Sequence, residues 1–183
     1  MMDELKEQLK ELLKKKAVVK GSVIKLASGQ TTDIYIDARQ VTLDPQGAYL
    51  AAQLLLKVAT EEQVKAIGGP TLGADPLVAA TVALSYVAKQ PLGGFLVRKE
   101  AKKHGRQRQI EGLNLTTGLP VLLVEDVVTT GGSILQAAEA VKAAGAQIKL
   151  IVSLVDREQG GAEALTKAGY RYYSFFKLGT LFS

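Results

Sequence analysis

Val121-Leu122-Leu123-Val124-Glu125-Asp126-Val127-Val128-Thr129-Thr130-Gly131-Gly132-Ser133 decides the fold. The apolar run Val121–Val124, without polar alternation, suits a central parallel strand covered on both faces. Two adjacent carboxylates, Glu125 and Asp126, close that strand. Two threonines, two glycines and a serine then lead into a helix predicted over Ser133–Ala144, with Gly145 as its stop. Glycines let the backbone turn its N–H groups toward one point, and hydroxyls and the helix N-terminus add donors, so the turn suits a phosphate dianion. The carboxylates fit poorly beside that phosphate. Sugar hydroxyls, or a divalent cation bridging to another phosphate, suit them better. An ordinary strand-to-helix turn with acids at the sheet edge is the plainer alternative, and Glu-Asp leading into TTGGS makes it the weaker one. No lysine follows the glycines and the G-x-G-x-x-G pattern is absent, so this is neither a Walker loop nor a dinucleotide fingerprint.

Outward from this stretch, strands alternate with helices. Upstream, Asp3–Lys16 carries Leu5, Leu9, Leu12 and Leu13 on one face and reads as an amphipathic helix. Short strands are predicted at Val23–Leu26 and Ile34–Ile36, around the turn Ala27-Ser28-Gly29-Gln30. Asp44-Pro45 is a helix start, an N-cap followed by proline at the first helical position. Val64–Ile67 reads as a strand ending in Gly68-Gly69-Pro70-Thr71-Leu72-Gly73, before a helix over Asp75–Ala88. Gly94–Val97 is a further strand, and downstream come strand Ile148–Val152, helix Gly161–Ala168 and strand Tyr172–Phe176. This alternation implies an α/β fold with a mostly parallel central sheet flanked by helices. Ligands of such sheets bind outside the C-terminal strand ends. Gly68–Gly73, Arg98–Arg108 and Glu125–Ser133 all fall there.

Composition narrows the chemistry. The chain has 183 residues and no cysteine, which excludes thiolate nucleophiles, thiolate metal sites and disulfides. A single histidine, His104, excludes a histidine-rich zinc centre. The most apolar helical stretch, Leu77–Leu84, is far short of the roughly 20 residues of a membrane span. The charged amphipathic start is not a signal peptide, and a cytoplasmic protein without membrane association is expected. The formal charge is +5, and Arg98–Arg108, with six basic residues and one acid, holds all of it. One compact cluster focuses a field on a small polyanion, whereas a nucleic-acid binder spreads its charge along a face. No nucleic acid is expected as partner.

Glu125–Ser133 closely resembles the 5-phosphoribosyl-1-pyrophosphate (PRPP) signature of type I phosphoribosyltransferases. The resemblance implies that Glu125 and Asp126 approach the ribose hydroxyls, while the loop Val127, Val128, Thr129, Thr130, Gly131, Gly132 and Ser133 holds the 5′-phosphate. Arg98-Lys99-Glu100-Ala101-Lys102-Lys103-His104-Gly105, closed by Ile110-Glu111-Gly112, is similar to the basic loop of the orotate phosphoribosyltransferases. In that family the loop covers the pyrophosphate of PRPP in the neighbouring subunit of a dimer. Arg98, Lys99, Lys102 and His104 match its ligand-contacting positions, and Lys102, with Asp126 and His104, is the expected catalytic set. Gly68–Pro76 resembles the pyrophosphate loop, with Thr71 as a binding residue. Leu26-Ala27-Ser28-Gly29 and Tyr35-Ile36-Asp37 resemble the base-pocket region, with Ala27 where some members carry a substrate-contacting lysine. Asp156-Arg157-Glu158-Gln159-Gly160-Gly161 resembles the segment whose arginine faces the orotate carboxylate, a role a planar bidentate donor suits.

The resemblance therefore implies a type I phosphoribosyltransferase-like single domain over 1–183. Residues 1–40 and part of the C-terminus would form a small hood over the base. Orotate and PRPP would be the substrates, and orotate would be held by Tyr35, Thr129 and Arg157. Mg²⁺ would be carried mainly by PRPP and water, with no direct protein ligand. A homodimer is implied, its loop 98–108 serving the neighbouring site. A sister enzyme for a purine would share TTGGS without RKEAKKHG, and a PRPP-sensing regulator would need a second basic face.

Overall fold

The computed structural model describes residues 2–25, 31–99 and 109–181. Six strands form the main sheet: β3 (Ala66–Pro70), β4 (Gly93–Val97), β5 (Ile110–Gly112), β6 (Pro120–Val128), β7 (Gln147–Asp156) and β8 (Tyr172–Lys177). Their spatial order is β5-β4-β3-β6-β7-β8, all parallel except β5, which runs antiparallel to β4. The chain winds outward from β3 to β4, then restarts at β6 and winds the other way. The seam between β3 and β6 is thus the switch point, where the C-terminal strand ends leave a crevice.

The structure departs from the sequence reading mainly in strand bounds: the strand expected over Val64–Ile67 is Ala66–Pro70, taking in Gly68-Gly69-Pro70, and the one expected over Val23–Leu26 is Val18–Lys25. The sixth strand does not close at the carboxylates: it runs through Glu125-Asp126-Val127-Val128, because β7 pairs with it as far as Val128↔Asp156. The edge strand β5 was hidden, since three residues ending in glycine show no periodicity.

Alternation on β6 divides the core. Leu122 and Val124 face one layer with Leu9 and Leu13 of α1 (Met2–Leu12) and the turn after it, Leu54 and Leu55 of α3 (Pro45–Glu61) and Leu77 of α4 (Asp75–Val87). Val121 and Leu123 face the other, with Ile134, Ala138 and Val141 of α5 (Gly132–Ala143) and Leu165 of α6 (Gly161–Lys167). Burying each large aliphatic side chain contributes about 2 kcal/mol. Helix α3 starts where the sequence indicates: Asp44 Oδ1 accepts from the N–H groups of Gln46 and Gly47, both at 3.0 Å, and Asp44 also pairs with Lys16. These bonds satisfy orphan donors of the first turn.

A second, two-stranded antiparallel sheet pairs β1 (Val18–Lys25) with β2 (Thr31–Ile36), and β2 runs into the short α2 (Arg39–Thr42). Lys6 of α1 donates to the Tyr173 hydroxyl of β8 at 2.7 Å and lies over the Tyr173 and Phe175 rings, tying the N-terminal helix to the last strand. A short terminal helix α7 (Leu178–Leu181) completes the described chain. No helix among the described residues is long and apolar enough to cross a membrane.

Candidate active site

A cavity of about 740 Å³ opens at the switch point. The ends of β3 and β6 form its floor, the β2–α2 corner one wall, and the start of the basic segment another. Four cations line it (Arg39, Arg98, Lys99, Arg157), with three carboxylates (Asp37, Glu125, Asp126) and the hydroxyl residues Tyr35, Thr71, Thr129 and Ser133. Mixed charge converging in a concave site of this size is the usual dress of a small-molecule site.

The carboxylate pair is its most perturbed part. Glu125 is 6% exposed. Burial, then the charge of Asp126 beside it, pushes its pKa up to about 8, although Ser133 Oγ donates to its Oε2 at 3.0 Å. Burial also raises Asp126, opposed by the Val127 N–H at 2.7 Å and by the positive charge of Arg39. Two adjacent, poorly solvated carboxylates share a proton more readily than they hold two charges. Such a pair is poised to accept from hydroxyls, or to ionise when positive charge arrives.

The loop after β3 approaches this pair closely. A Cβ at Gly73 would strike Asp126 Oδ1 and Glu125 Oε1, so any larger residue there must displace the carboxylates. The Thr71–Leu72 peptide is cis. On the other side, Gly131 adopts φ +82° and packs against Gly161, turning the chain into α5. Thr130, Gly132 and Ser133 stand exposed at that helix start, while Gly131 is buried. The backbone there offers N–H groups to an anion.

Arg157 is 7% exposed, and its N–H donates to the Val128 carbonyl at 2.9 Å, which ties the two strand ends together. Burial lowers the pKa of its guanidinium, with Tyr35 acting in the opposite direction. A buried cation facing a cavity favours an anionic guest.

Residues 43–170 match the family model described as the phosphoribosyl transferase domain. The orotate phosphoribosyltransferase of Aquifex aeolicus (strain VF5) is 43% identical over 178 residues, spanning 96% of this chain and 97% of that protein. The chain belongs to the orotate phosphoribosyltransferase family. Among solved structures, that family's Mycobacterium tuberculosis H37Rv enzyme in complex with Fe(III) dicitrate superposes with a TM-score of 0.83 at 39% identity, covering 97% of this chain and 98% of that one. The same enzyme in complex with PRPP gives a TM-score of 0.80 at 34% identity, over 98% and 99% of the two chains.

Of the residues singled out from the sequence, the cavity brings together Tyr35, Thr71, Arg98, Lys99, Glu125, Asp126, Val127, Thr129, Ser133 and Arg157. The Val128 side chain is 2% exposed and packs in the core beside Gly161, which leaves its backbone as the part available to the loop. Thr130, Gly131 and Gly132 lie on the same turn but do not line the cavity. Lys102 and His104 fall outside the described residues, as do Ala27, Ser28 and Gly29. Arg98 and Lys99 line the cavity of their own chain. The Arg98 N–H donates to the Gln109 carbonyl at 2.9 Å, and Gln109 Nε2 returns a bond to the Arg98 carbonyl at 3.0 Å. Sequence reasoning missed Asp37 as a charged wall residue, and Arg39 altogether. The signal available was the Asp-x-Arg pair Asp37-Ala38-Arg39, two residues after Tyr35.

Proposed function

We propose that this protein transfers the 5-phosphoribosyl group of PRPP to orotate, yielding orotidine 5′-phosphate and pyrophosphate, as a cytoplasmic step of de novo UMP synthesis. The observation that carries the reading is the meeting, in one cavity, of buried Glu125 with half-buried Asp126, a hydroxyl-rich helix start and buried Arg157. These are complements to ribose, phosphate and a planar acid. The orotate phosphoribosyltransferase relatives and the PRPP complex of the M. tuberculosis enzyme support it.

In this reading the N–H groups and hydroxyls of Val127–Ser133 hold the 5′-phosphate, Glu125 and Asp126 accept from the ribose hydroxyls, and Thr71, Arg98 and Lys99 take the diphosphate. Orotate lies between Tyr35 and Thr129 with its carboxylate on Arg157. Orotate N1 forms the bond to C1′ as the C1′–oxygen bond breaks, and that electron pair leaves on pyrophosphate. The N1 proton is acidic enough to pass to water without a strong protein base. Positive charge builds on the ribose ring in the transition state, where the carboxylates stabilise it. Lys99, Lys102 and His104 stabilise the departing negative charge.

Two carboxylates are too few for an all-protein Mg²⁺ octahedron, and no group of three or more metal-binding side chains stands among the described residues. They fit a Mg²⁺ ion carried in on the diphosphate and ribose hydroxyls, which would polarise the breaking bond. A homodimer completes the reading, with the part of the loop beyond Lys99 serving the neighbouring cavity. Mixing the protein with PRPP, Mg²⁺ and a panel of bases tests it. Pyrophosphate release with orotate alone is expected, and turnover of a purine but not orotate would overturn the reading.

A further inference from the structure

The β2–α2 corner delivers two side chains to the cavity. Tyr35 interacts with Arg157, at the end assigned to the base. Four residues later, Arg39 lines the same cavity and interacts by charge with Asp126, without a direct hydrogen bond or ion pair between them. Arg39 is held in place. Its Nε donates to Asp37 Oδ1 at 2.9 Å, its backbone N–H reaches the same oxygen at 3.3 Å, and Gln40 Nε2 lies 3.5 Å from Oδ2. These bonds outweigh burial and draw the Asp37 carboxyl below its usual range. An exposed Asp–Arg pair contributes little to stability by itself, and the Arg39 side chain is 45% exposed. Asp37 engages Nε and leaves the two Nη groups as donors.

The gap between Arg39 and Asp126 has a donor on one side and an acceptor on the other. A phosphate oxygen there would meet the Asp126 carboxylate with like charge. A sugar hydroxyl satisfies both sides, donating to Asp126 and accepting from an Nη group. Resting on the ribose assignment of Asp126, we propose that Arg39, clamped by Asp37, is a further substrate-binding residue that donates to the ribose hydroxyl held by Asp126. Its role concerns ribose and not the diphosphate.

Isothermal titration of orotidine 5′-phosphate, its 2′-deoxy and 3′-deoxy analogues, and inorganic pyrophosphate into wild type, Arg39→Met and Arg39→Lys tests this. Arg39→Met should weaken orotidine 5′-phosphate about tenfold and leave pyrophosphate unchanged. For one deoxy analogue its effect should largely vanish, because that analogue has already lost the contact. Arg39→Lys should recover part of the loss, and all three proteins should melt together, since the pair is exposed. Unchanged orotidine 5′-phosphate affinity in Arg39→Met, a loss confined to pyrophosphate, or full additivity with both deoxy analogues would each overturn the proposal. Wild type failing to bind orotidine 5′-phosphate would instead remove the proposed function itself.

Discussion

Replacing Gly73 by alanine separates the chemistry from the fold. The new Cβ would lie 2.9 Å from Asp126 Cγ and closer still to Asp126 Oδ1 and Glu125 Oε1. Restoring ordinary contact requires the carboxylates to move by about 1 Å, and a misplacement of that size removes about 100-fold of activity. The yielding atoms are side-chain ends, so the backbone need not shift, and Tm should fall by no more than about 2 °C. Gly69→Ala makes the contrasting case. Its Cβ meets the Val124 carbonyl and lies 2.7 Å from Ala74 Cβ, so main chain must give way, with a Tm loss of about 5 °C or more. The assay is the initial rate of pyrophosphate release against PRPP at saturating orotate, alongside calorimetric melting. Gly73→Ala with kcat/KM within about threefold of wild type and unchanged Tm would refute the carboxylate displacement. A melting loss as large as that of Gly69→Ala would show that the loop moves instead.

Arg157→Met keeps the bulk and removes the buried charge. KM for orotate should rise at least about 100-fold while PRPP affinity, read by titration, stays within error. Glu125 binds its proton more tightly in the folded chain, where its pKa is near 8, than in the unfolded chain, near 4.5. Folding stability of the ligand-free protein should therefore fall as pH rises across that window, by on the order of a few kcal/mol. Denaturant midpoints of Glu125→Gln should be flatter over the same pH range, and a slope equal to wild type would count against the raised pKa. Lys102→Ala should lower kcat far more than PRPP affinity, and a KM effect with kcat intact would leave it only a binding role. Mixing Lys102→Ala with Asp126→Asn protein should restore about a quarter of wild-type activity if the loop crosses subunits. No recovery would place it in its own site.

Local chemistry made most of the fold legible. Asp44-Pro45 announces α3 because an N-cap and an N1 proline act without tertiary help. The apolar run Val121–Val124 announces a central strand for the same reason. What the sequence reading missed depends on neighbours. Glu125–Val128 is strand only because β7 continues beside it, and Ile110–Gly112 is strand only because Phe95–Val97 lies opposite. Within the site, the place of Val128 at the start of the loop was legible, whereas the burial of its side chain depends on how β6 packs. Arg39 carried no motif of its own, being brought to Asp126 by a strand more than 80 residues upstream.

The pairing of β6 with β7, constant in register from Leu122↔Leu150 to Val128↔Asp156, also bears on how such a sequence can change. Glu125, Asp126 and Arg157 sit at the same end of one ladder that pairs Glu125 with Ser153 and Val128 with Asp156. Inserting or deleting one residue within that stretch of either strand would send alternate side chains to the opposite face, parting acid from arginine in a single step. A length change is expected to cost least at the far end, around Thr116–Gly118 and the Gly145 turn, where Gly118 N–H bonds the Gly145 carbonyl at 2.9 Å. The N-terminal two-stranded sheet carries no such bond to the ladder through β1 or β2 pairing. Tyr35 can accordingly be exchanged without disturbing the ladder that aligns Glu125, Asp126 and Arg157.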